Sequence, residues 1–306
     1  MNKTHAAGDP IARIHRSALY LPASKPKAIS KAQTLPCDTV ILDLEDSVAP
    51  EAKESARQQA AAAVRQGSFG SRTVVIRVNG LETAWGADDM EAASAASPDA
   101  ILVPKIDSIA DIRAYQQRLG GECRSDLWVM IETPRSILNI REIAAASLET
   151  RLACLVMGTN DLAKDLNAKP GASRTPFWGM FGLCVAAARA FGLLVLDGVY
   201  NNIEDSAGFK QQCLQAVEFG FDGKTLIHPT LIQPCNEAFS PDAAAIEGRN
   251  KLCGHSRTLP MRVRRPSEST GSWSSHYTWL RRDKCWRWRV LIAHSPPFNA
   301  CCRGRS

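Results

Sequence analysis

The chain has 306 residues, 45% of them hydrophobic, and a formal net charge of +6 at pH 7. This length supports one large core or two modest ones, and no apolar run approaches the roughly 20 residues that cross a bilayer. The first 20 residues lack the apolar centre of a signal peptide, and the ten cysteines form no C-x-x-C pair, so we expect a cytoplasmic protein in a reducing compartment, without membrane association.

Eight short apolar runs recur along the chain after a predicted disordered arm at residues 1–13. Each run is continuously apolar and rich in Val, Ile or Leu, as is typical of strands buried on both faces of a parallel sheet. We therefore predict eight parallel strands. They lie at residues 17–22, 39–46, 73–80, 100–105, 127–133, 153–158, 193–198 and 222–229.

The segments between these strands are rich in Ala, Glu and Arg at helical spacing. One of them, "SIADIRAYQQRLGG" at residues 108–121, ends on two glycines that suit a helix C-cap. Strands that alternate with helices from residue 14 to 252 predict an α/β fold, a (β/α)8 TIM barrel. The alternative is a doubly wound open sheet, which is disfavoured because no nucleotide-binding glycine loop follows any of the strands.

Seven of the eight predicted strands end close to a charged or metal-capable side chain. In a TIM barrel the carboxyl ends of the strands form the rim that carries the chemistry, so we expect these groups to share one rim. A lone charge at a strand end is usually only the first solvated position, and two or three of the set are expected to be structural. An Asp43–Lys105 ion pair and a buried, hydrogen-bonded His228 are the structural alternatives. The set contains Asp43, Glu45, Asp46, Arg77, Asn79, Lys105, Glu132, Asp161, Asp197 and His228, with Arg16 just before the first strand.

Two of these carboxylates form a candidate metal site. Glu132 and Asp161 end neighbouring strands, and no His or Cys lies near them in the sequence. Such hard oxygen ligands favour Mg2+ or Mn2+ over Zn2+. Two protein carboxylates leave most of an octahedral shell open for water and substrate oxygens, so the pair predicts a metal that also contacts the substrate.

The other charges suit an anionic substrate. Arg77 and Arg16 are each able to hold a carboxylate with two parallel hydrogen bonds. Glu45 and Asp46 are adjacent and point to opposite sides if the strand continues through them, so that one faces the metal and the other caps the next helix. A metal, an arginine and a carboxylate around one substrate are the parts that stabilise an enolate.

Seven motifs from Arg16 to Pro241 resemble the citrate lyase β-subunit-like branch of the HpcH/HpaI aldolase family, which includes malyl-CoA lyases and related acyl-CoA lyases. They cover about three quarters of the chain in the family's order. The resemblance implies a (β/α)8 barrel that binds Mg2+, with Mn2+ as the alternative, and that assembles as a homotrimer or hexamer. The motifs are "RSALYLPASKPKAISKA", "DTVILDLEDSVAPEAKESAR", "VVIRVNG", "DAILVPKI", "MIETPRSILNIREIA", "LVMGTNDLAKDL" and "GFDGKTLIHPTLI".

The activity that the resemblance implies is a Mg2+-dependent carbon–carbon lyase of the oxo-acid type (EC 4.1.3). Such an enzyme cleaves a citryl-, malyl- or citramalyl-type acyl-CoA, or an acyl-carrier thioester, into an acyl thioester and a 2-oxo acid by a retro-Claisen or retro-aldol step. Two alternatives stay open. One is a thioesterase of the same fold that hydrolyses a malyl-type CoA ester, and the other is a metal- and ligand-binding protein that is inactive because its C-terminus is altered.

The resemblance also implies roles for individual residues. Glu132 and Asp161 fall on the metal ligands of the family. Arg77 falls on the catalytic arginine that contacts the oxo acid and stabilises charge on the oxygen that becomes a ketone.

Four further positions receive roles from the same motifs. Arg16 and Lys105 fall on contacts to the substrate or to its thioester side. Asp46, within "DLEDSV", falls on the acidic cluster behind the metal, where it holds a metal-bound water, and Glu45 beside it is predicted as a further catalytic acid.

The composition changes near Lys251, and the resemblance ends there. Residues 253–306 contain 11 Lys/Arg and 2 Asp/Glu, a balance of +9, which leaves residues 1–252 at −3. Four of the seven tryptophans and four of the ten cysteines also lie in this stretch. It has no helical period and lacks the V-x-D-G segment with which relatives continue, whose aspartate reaches a neighbouring subunit's active site.

The favoured interpretation of residues 253–306 is a shifted reading frame, because a GC-rich gene read out of frame yields much Arg with little Lys or acid. The alternative is a nucleic-acid-binding tail, since "WLRRDKCWRWRV" interleaves aromatic residues with arginines as single-strand binders do. We therefore predict that residues 253–306 are a disordered or out-of-frame segment and do not expect a nucleic-acid partner.

Overall fold

In the computed structural model, which describes residues 14–241, eight parallel strands close into a barrel in chain order. The ring closes between the first and the eighth strand, where Ser17 lies opposite Lys224. The predicted (β/α)8 barrel is therefore confirmed. The strands are β1 (Ser17–Pro22), β2 (Thr39–Asp43), β3 (Thr73–Arg77), β4 (Ala100–Val103), β5 (Asp126–Ile131), β6 (Leu152–Met157), β7 (Leu194–Asp197) and β8 (Gly223–Leu226).

The barrel lies in a compact unit that spans His15–Phe239. The predicted arm at residues 1–13, the predicted tail at residues 253–306 and the boundary at residue 252 lie outside the described residues, so these limits stay predictions. Within residues 14–241, no helix has both the length and the apolar character needed to cross a membrane.

Helices alternate with the strands and pack around the outside of the barrel. The helix at Ile109–Gln117 begins at a capping box, in which the Asp111 carboxylate accepts a hydrogen bond from the backbone of Ser108. Its C-cap residue, Arg118, is right-handed, so the predicted glycine cap at residues 120–121 is wrong. The helices are α1 (Pro26–Ala32), α2 (Lys53–Gln66), α3 (Gly86–Ala96), α4 (Ile109–Gln117), α5 (Pro134–Leu138), α6 (Ile140–Ala145), α7 (Thr159–Asp165), α8 (Trp178–Ala190), α9 (Ser206–Phe219) and α10 (Ile232–Ala238).

The strands are buried on both faces, which is why their sequences read as continuous apolar runs. Alternate side chains, such as those of Val75 and Trp128, fill the interior of the barrel. Their neighbours along the strands, such as Ile76 and Val129, pack against the helices. At the carboxyl ends of the strands, the side chains that point inward therefore meet inside the rim.

His15, two residues before β1, closes the amino-terminal end of the barrel. His15 is buried, its Nδ1 lies 2.9 Å from the Thr39 hydroxyl, and its ring packs edge-on against Trp128 at a centroid distance of 5.3 Å. A Cβ atom built on Gly223 would lie 1.8 Å from the carbonyl oxygen of His15, so a side chain there has no room. This end is packed, which leaves the carboxyl-terminal rim to receive a substrate.

We expect Gly223→Ala to destabilise the fold by at least about 2 kcal/mol, because the added methyl group must push His15 away from the barrel. Gly182→Ala on α8 is the matched control. A Cβ there meets nothing within 4 Å, and alanine in a helix is expected to add about 0.5–1 kcal/mol of stability. Urea unfolding of both variants measures the difference, and equal stabilities would contradict the steric argument.

Candidate active site

Arg77 lies at the carboxyl-terminal rim of the barrel. It ends β3 directly beside Asp43, which ends β2. Its Nε and Nη2 donate to the two oxygens of Asp43 at 2.6 and 2.7 Å. Burial acts to raise the pKa of Asp43, but the charge and the hydrogen bonds of Arg77 outweigh it and hold that pKa below its usual value. Asp43 therefore pairs with Arg77, and the proposed pair with Lys105 is wrong.

The two acids after β2 also face Arg77. Glu45 Oε2 lies 2.9 Å from Arg77 Nη1, and Asp46 Oδ2 lies 3.3 Å from the same atom. Because β2 ends at Asp43, both acids lie in a loop, whose Glu45 and Ser47 amides donate to the Asp43 carboxylate at 3.0 and 3.1 Å. The predicted strand through residue 46, with its two acids on opposite sides, is therefore wrong.

The two loop acids differ in their exposure. The Asp46 side chain is 71% exposed, whereas that of Glu45 is 12% exposed. Burial raises the pKa of Glu45 to about 8, against the opposing effect of Arg77. Glu45 Oε2 has no hydrogen-bond partner among the described residues in spite of its proximity to Arg77. The site therefore contains one acid that holds a proton near neutral pH and one that faces solvent.

Glu45 is expected to make the fold less stable as the pH rises. An unfolded glutamate titrates near 4.5, so between pH 4.5 and about 8 the folded chain binds more protons than the unfolded chain. This contribution to stability is complete below pH 4.5 and is lost as the pH rises through the folded pKa. Glu45→Gln, which resembles the protonated acid, is expected to exceed the wild type at pH 8.5 by on the order of 1–3 kcal/mol.

Urea unfolding in EDTA at pH 5 and pH 8.5 measures this difference in the free energy of unfolding. At pH 5 the two proteins should be nearly equally stable. A gap that does not grow with pH would show that Glu45 is ionised in the folded protein.

The Arg77 guanidinium packs over the ring of Tyr20. The guanidinium carbon lies 4.7 Å from the centroid of the tyrosine ring, and the hydroxyl donates to Met130 Sδ at 3.5 Å. Burial raises the pKa of Tyr20, which stays protonated. The sequence analysis missed this residue because it lies inside an apolar run. An aromatic residue in the inward register near a strand end was the available signal.

The Glu132–Asp161 pair lies on neighbouring elements of the same rim. Glu132 follows β5 and is 2% exposed, and Asp161 lies in the first turn of α7 after β6. Burial first, and then the charge of Asp161, raises the pKa of Glu132 to about 7. A Cβ atom at Gly158 would lie 2.4 Å from Glu132 Cβ, so only glycine lets the turn before α7 approach Glu132 this closely.

This pair fits a magnesium ion by its chemistry. Within residues 14–241, no three His, Cys, Asp or Glu side chains gather closely enough to hold a metal by themselves. Mg2+ is commonly held by one or two carboxylates, with water and substrate oxygens completing its shell. Glu132 Oε1 accepts the Lys105 amide at 2.8 Å, while none of the described residues donates to Oε2. The repulsion between the two acids is of the kind that a divalent cation relieves.

Lys105 contributes to the rim through its backbone. It follows β4 in a left-handed conformation with φ 51°, which aims its amide at Glu132. Its side chain is exposed at the rim, and contact of the ammonium group with a substrate stays a prediction.

Arg16 is not brought to this rim. It precedes β1, and its guanidinium donates to both oxygens of Asp38, the residue before β2, at 2.8 Å each. Both residues lie at the amino-terminal end of the barrel, opposite Arg77. The expected contact between Arg16 and a substrate held at the rim is therefore wrong, because a residue that precedes a strand lies at the other end from one that follows it.

Three other predicted rim residues have structural contacts. Asp197 is fully buried outside the barrel wall, where it pairs with Arg174 at 2.8 Å and Lys224 at 2.7 Å. His228 is half-buried, and its Nδ1 lies 2.8 Å from the Thr230 hydroxyl. Asn79 is buried against α3. The expected burial of His228 is therefore wrong, while its expected hydrogen bond is present.

A parallel (β/α)8 barrel whose carboxyl-terminal rim gathers buried carboxylates around an arginine has the architecture of an enzyme. Residues 16–229 match the family model described as HpcH/HpaI aldolase/citrate lyase. The chain belongs to this family, as its motifs predicted.

Two relatives of this chain are named for different reactions of malyl-CoA, hydrolysis and lysis. A (3S)-malyl-CoA thioesterase of Cereibacter sphaeroides is 44% identical over 236 residues, which cover 77% of this chain and 81% of the relative. An L-malyl-CoA/beta-methylmalyl-CoA lyase of Rhodobacter capsulatus is 34% identical over 269 residues, 79% and 84% of the two chains. The family thus includes a CoA-ester hydrolase and a CoA-ester lyase.

Solved structures share the fold. The citrate lyase beta subunit of Mycobacterium tuberculosis, complexed with oxaloacetate and magnesium, has a TM-score of 0.66 at 29% identity and covers 76% of this chain and 100% of its own. The CitE protein of the same organism, in complex with magnesium, acetoacetate and coenzyme A, has a TM-score of 0.67 at 25% identity, with 92% and 98% covered.

Proposed function

We propose that this protein is a Mg2+-dependent enzyme that acts on a malyl-type CoA ester. The observation that carries the proposal is the presence, on one rim, of the Glu132–Asp161 pair and of Arg77. The pair suits a divalent cation, and the arginine suits the charge that develops on a substrate oxygen. Malyl-CoA also appears in the names of both relatives described above.

Hydrolysis of the thioester is the first candidate reaction, because the thioesterase relative is the more similar of the two. In this reaction a water oxygen bonds to the thioester carbonyl carbon, the carbon–sulfur bond breaks, and a proton ends on the sulfur. The products are malate and CoA thiol. The expected carbon–carbon lyase thus becomes the second candidate, supported by the lyase relative and by the suitability of the site for an enolate.

In the lyase reaction the substrate hydroxyl loses its proton, the bond between the two central carbons breaks, and a proton is added to the thioester α-carbon. The products are a 2-oxo acid and an acyl-CoA. Both reactions therefore need charge stabilisation at an oxygen and a group that supplies a proton.

The residues of the rim meet these needs as follows. Glu132 and Asp161 would hold Mg2+, which supplies positive charge that withdraws electrons from the substrate oxygens. Arg77, locked by Asp43, offers a fixed positive charge to an oxyanion. Glu45, whose pKa burial raises to about 8, would supply the proton to the leaving sulfur or to the α-carbon. The exposed Asp46 carboxylate would orient a water or accept its proton.

The experiment is a product analysis with Mg2+ and (S)-malyl-CoA, repeated with citramalyl-CoA and citryl-CoA. A thiol reagent detects released CoA, and phenylhydrazine detects released oxo acid. Hydrolysis gives thiol and malate without oxo acid, whereas lysis gives oxo acid and acetyl-CoA without thiol. Either product should disappear in EDTA. Release of neither product from any of the three esters would contradict the proposal and favour a binding protein without catalysis.

Assembly as a homotrimer or hexamer stays a prediction. It is supported by large apolar side chains that are exposed on the neighbouring helices α8 and α9, which a second copy of the chain would cover. Light scattering after size-exclusion chromatography measures the mass, and a monomer would contradict the prediction. The side chains are Trp178, Leu183, Leu214 and Val217.

A further inference from the structure

Lys53 is a buried lysine at the first position of α2. Its side chain turns inward, and its Nζ donates to the carbonyl oxygens of Leu44 and Glu45 and to Asn79 Oδ1, each at 2.8 Å. An ammonium group has three donors, and here all three have acceptors, which offsets the cost of its burial. Its Nζ also lies 5.2 Å from the centroid of the Trp85 ring. The lysine therefore has one fixed position.

The acceptor at Asn79 is itself fixed. Its amide nitrogen donates to the Leu44 carbonyl at 2.9 Å and to Asp89 Oδ2 at 2.6 Å. Asp89 is fully buried on α3, and its other oxygen accepts from Arg57 at 2.8 Å. The hydrogen bonds thus run from α3 through Asn79 and Lys53 to the loop that follows β2.

That loop is the one that carries the two acids of the candidate active site. Inside the barrel, Asp43 accepts the amides of Glu45 and Ser47. On the outer side, Lys53 donates to the carbonyls of Leu44 and Glu45. The peptide unit before Glu45 is therefore bonded on both faces of the loop, by Asp43 inside and by Lys53 outside. The carbonyl of the unit after it accepts from Lys53 and from the Val48 amide, so Lys53 helps to fix where the Glu45 side chain lies relative to Arg77.

We propose that Lys53 is a positioning residue, which holds the loop of residues 44–47 so that Glu45 lies against Arg77. The expected effect of Lys53 on the reaction rests on the proposed function. Its expected effect on the loop of residues 44–47 rests on the hydrogen bonds alone. All three donors of Lys53 are used within the protein, so it acts on a reaction at the rim through the loop that carries Glu45.

The kinetic test is a double-mutant cycle of Lys53→Met and Glu45→Gln. Lys53→Met is expected to lower kcat by about 10²-fold, the usual cost of a small misplacement, while the affinity for Mg2+ changes by less than about twofold. If Lys53 acts through Glu45, the double variant should be no slower than Glu45→Gln alone. Losses that multiply would overturn the inference. Arg65→Met, which removes an exposed charge from the end of α2, is the control and should keep wild-type kinetics.

The structural test does not depend on turnover. Hydrogen–deuterium exchange at the amides of Glu45 and Ser47 should accelerate in Lys53→Met and stay unchanged in Arg65→Met. Unchanged exchange in Lys53→Met would overturn the inference even if the wild type has no activity on any CoA ester. If Lys53→Met does not fold, Lys53→Gln, which keeps two donors, is measured in its place, with the same direction of change expected at smaller size.

Discussion

Asp161→Asn and Glu132→Gln are each expected to abolish detectable Mg2+ binding and to lower turnover of the CoA ester by at least about 10³-fold. Both substitutions keep the shape of the side chain and remove its charge, so the fold should persist. Isothermal titration with Mg2+ measures binding, and the product assay measures turnover.

Asp165→Asn is the matched control for this prediction, since it removes an exposed carboxylate one turn further along α7. It should bind Mg2+ as the wild type does. Full activity in either Asp161→Asn or Glu132→Gln would show that the metal, if one is used, binds elsewhere.

The same pair should make metal binding depend on pH. Mg2+ binds the ionised carboxylate, and the pKa of Glu132 is about 7 in the absence of metal. Protonation below that pH competes with the metal, so the apparent affinity should fall by about tenfold for each pH unit below 7. Titrations at pH 8, 7 and 6 measure this slope, and a constant affinity would show that Glu132 is already ionised at pH 6.

Arg77→Met is expected to have the largest combined effect on stability and activity. It leaves the buried carboxylate of Asp43 without its cation, at a cost of about 3–5 kcal/mol of unfolding free energy. It also removes the charge that faces the substrate, which should lower kcat/KM by about 10³-fold. Arg77→Lys keeps a charge but not the two-point pairing with Asp43, so its loss of activity should be smaller.

The two effects of Arg77 are separable. In Asp43→Asn/Arg77→Met the buried charge is gone, so stability should recover in part while activity does not. Arg189→Met is the matched control, because Arg189 makes a similar two-point pair with Asp222 at 2.8 and 2.9 Å before β8, at the amino-terminal end of the barrel. It should lose stability and keep kcat/KM. A double variant that regains activity would show that Arg77 serves only to neutralise Asp43.

The strands were predictable because burial on both faces requires a continuous run of apolar residues in the sequence. The rim positions of Arg77, Glu132 and Asp161 were predictable for a related reason, since each is a charge at or shortly after the carboxyl end of such a run. The precise ends of the strands were not, as β2 shows: "VILDLED" continues in composition past Asp43, where the backbone leaves the sheet to bond the loop amides to that carboxylate.

Other parts of the site needed the three-dimensional structure. Tyr20 and Lys53 lie in segments whose pattern is explained by a strand and a helix. The inward register of Tyr20 was the one available signal for that residue, and no comparable signal distinguishes Lys53. Arg16 shows the opposite error, because its chemistry suited a substrate but its position before β1 placed it at the far end of the barrel. The sequence does show whether a residue precedes or follows a strand, and this order decides at which end of the barrel the residue lies.

The packed amino-terminal end has a kinetic consequence. His15, Thr39 and Trp128 pack together at that end, so among residues 14–241 the rim is the side from which we expect a substrate to enter and a product to leave. A product that keeps the CoA group would then occupy the entrance until it dissociates. We therefore expect added free CoA to compete with the incoming ester.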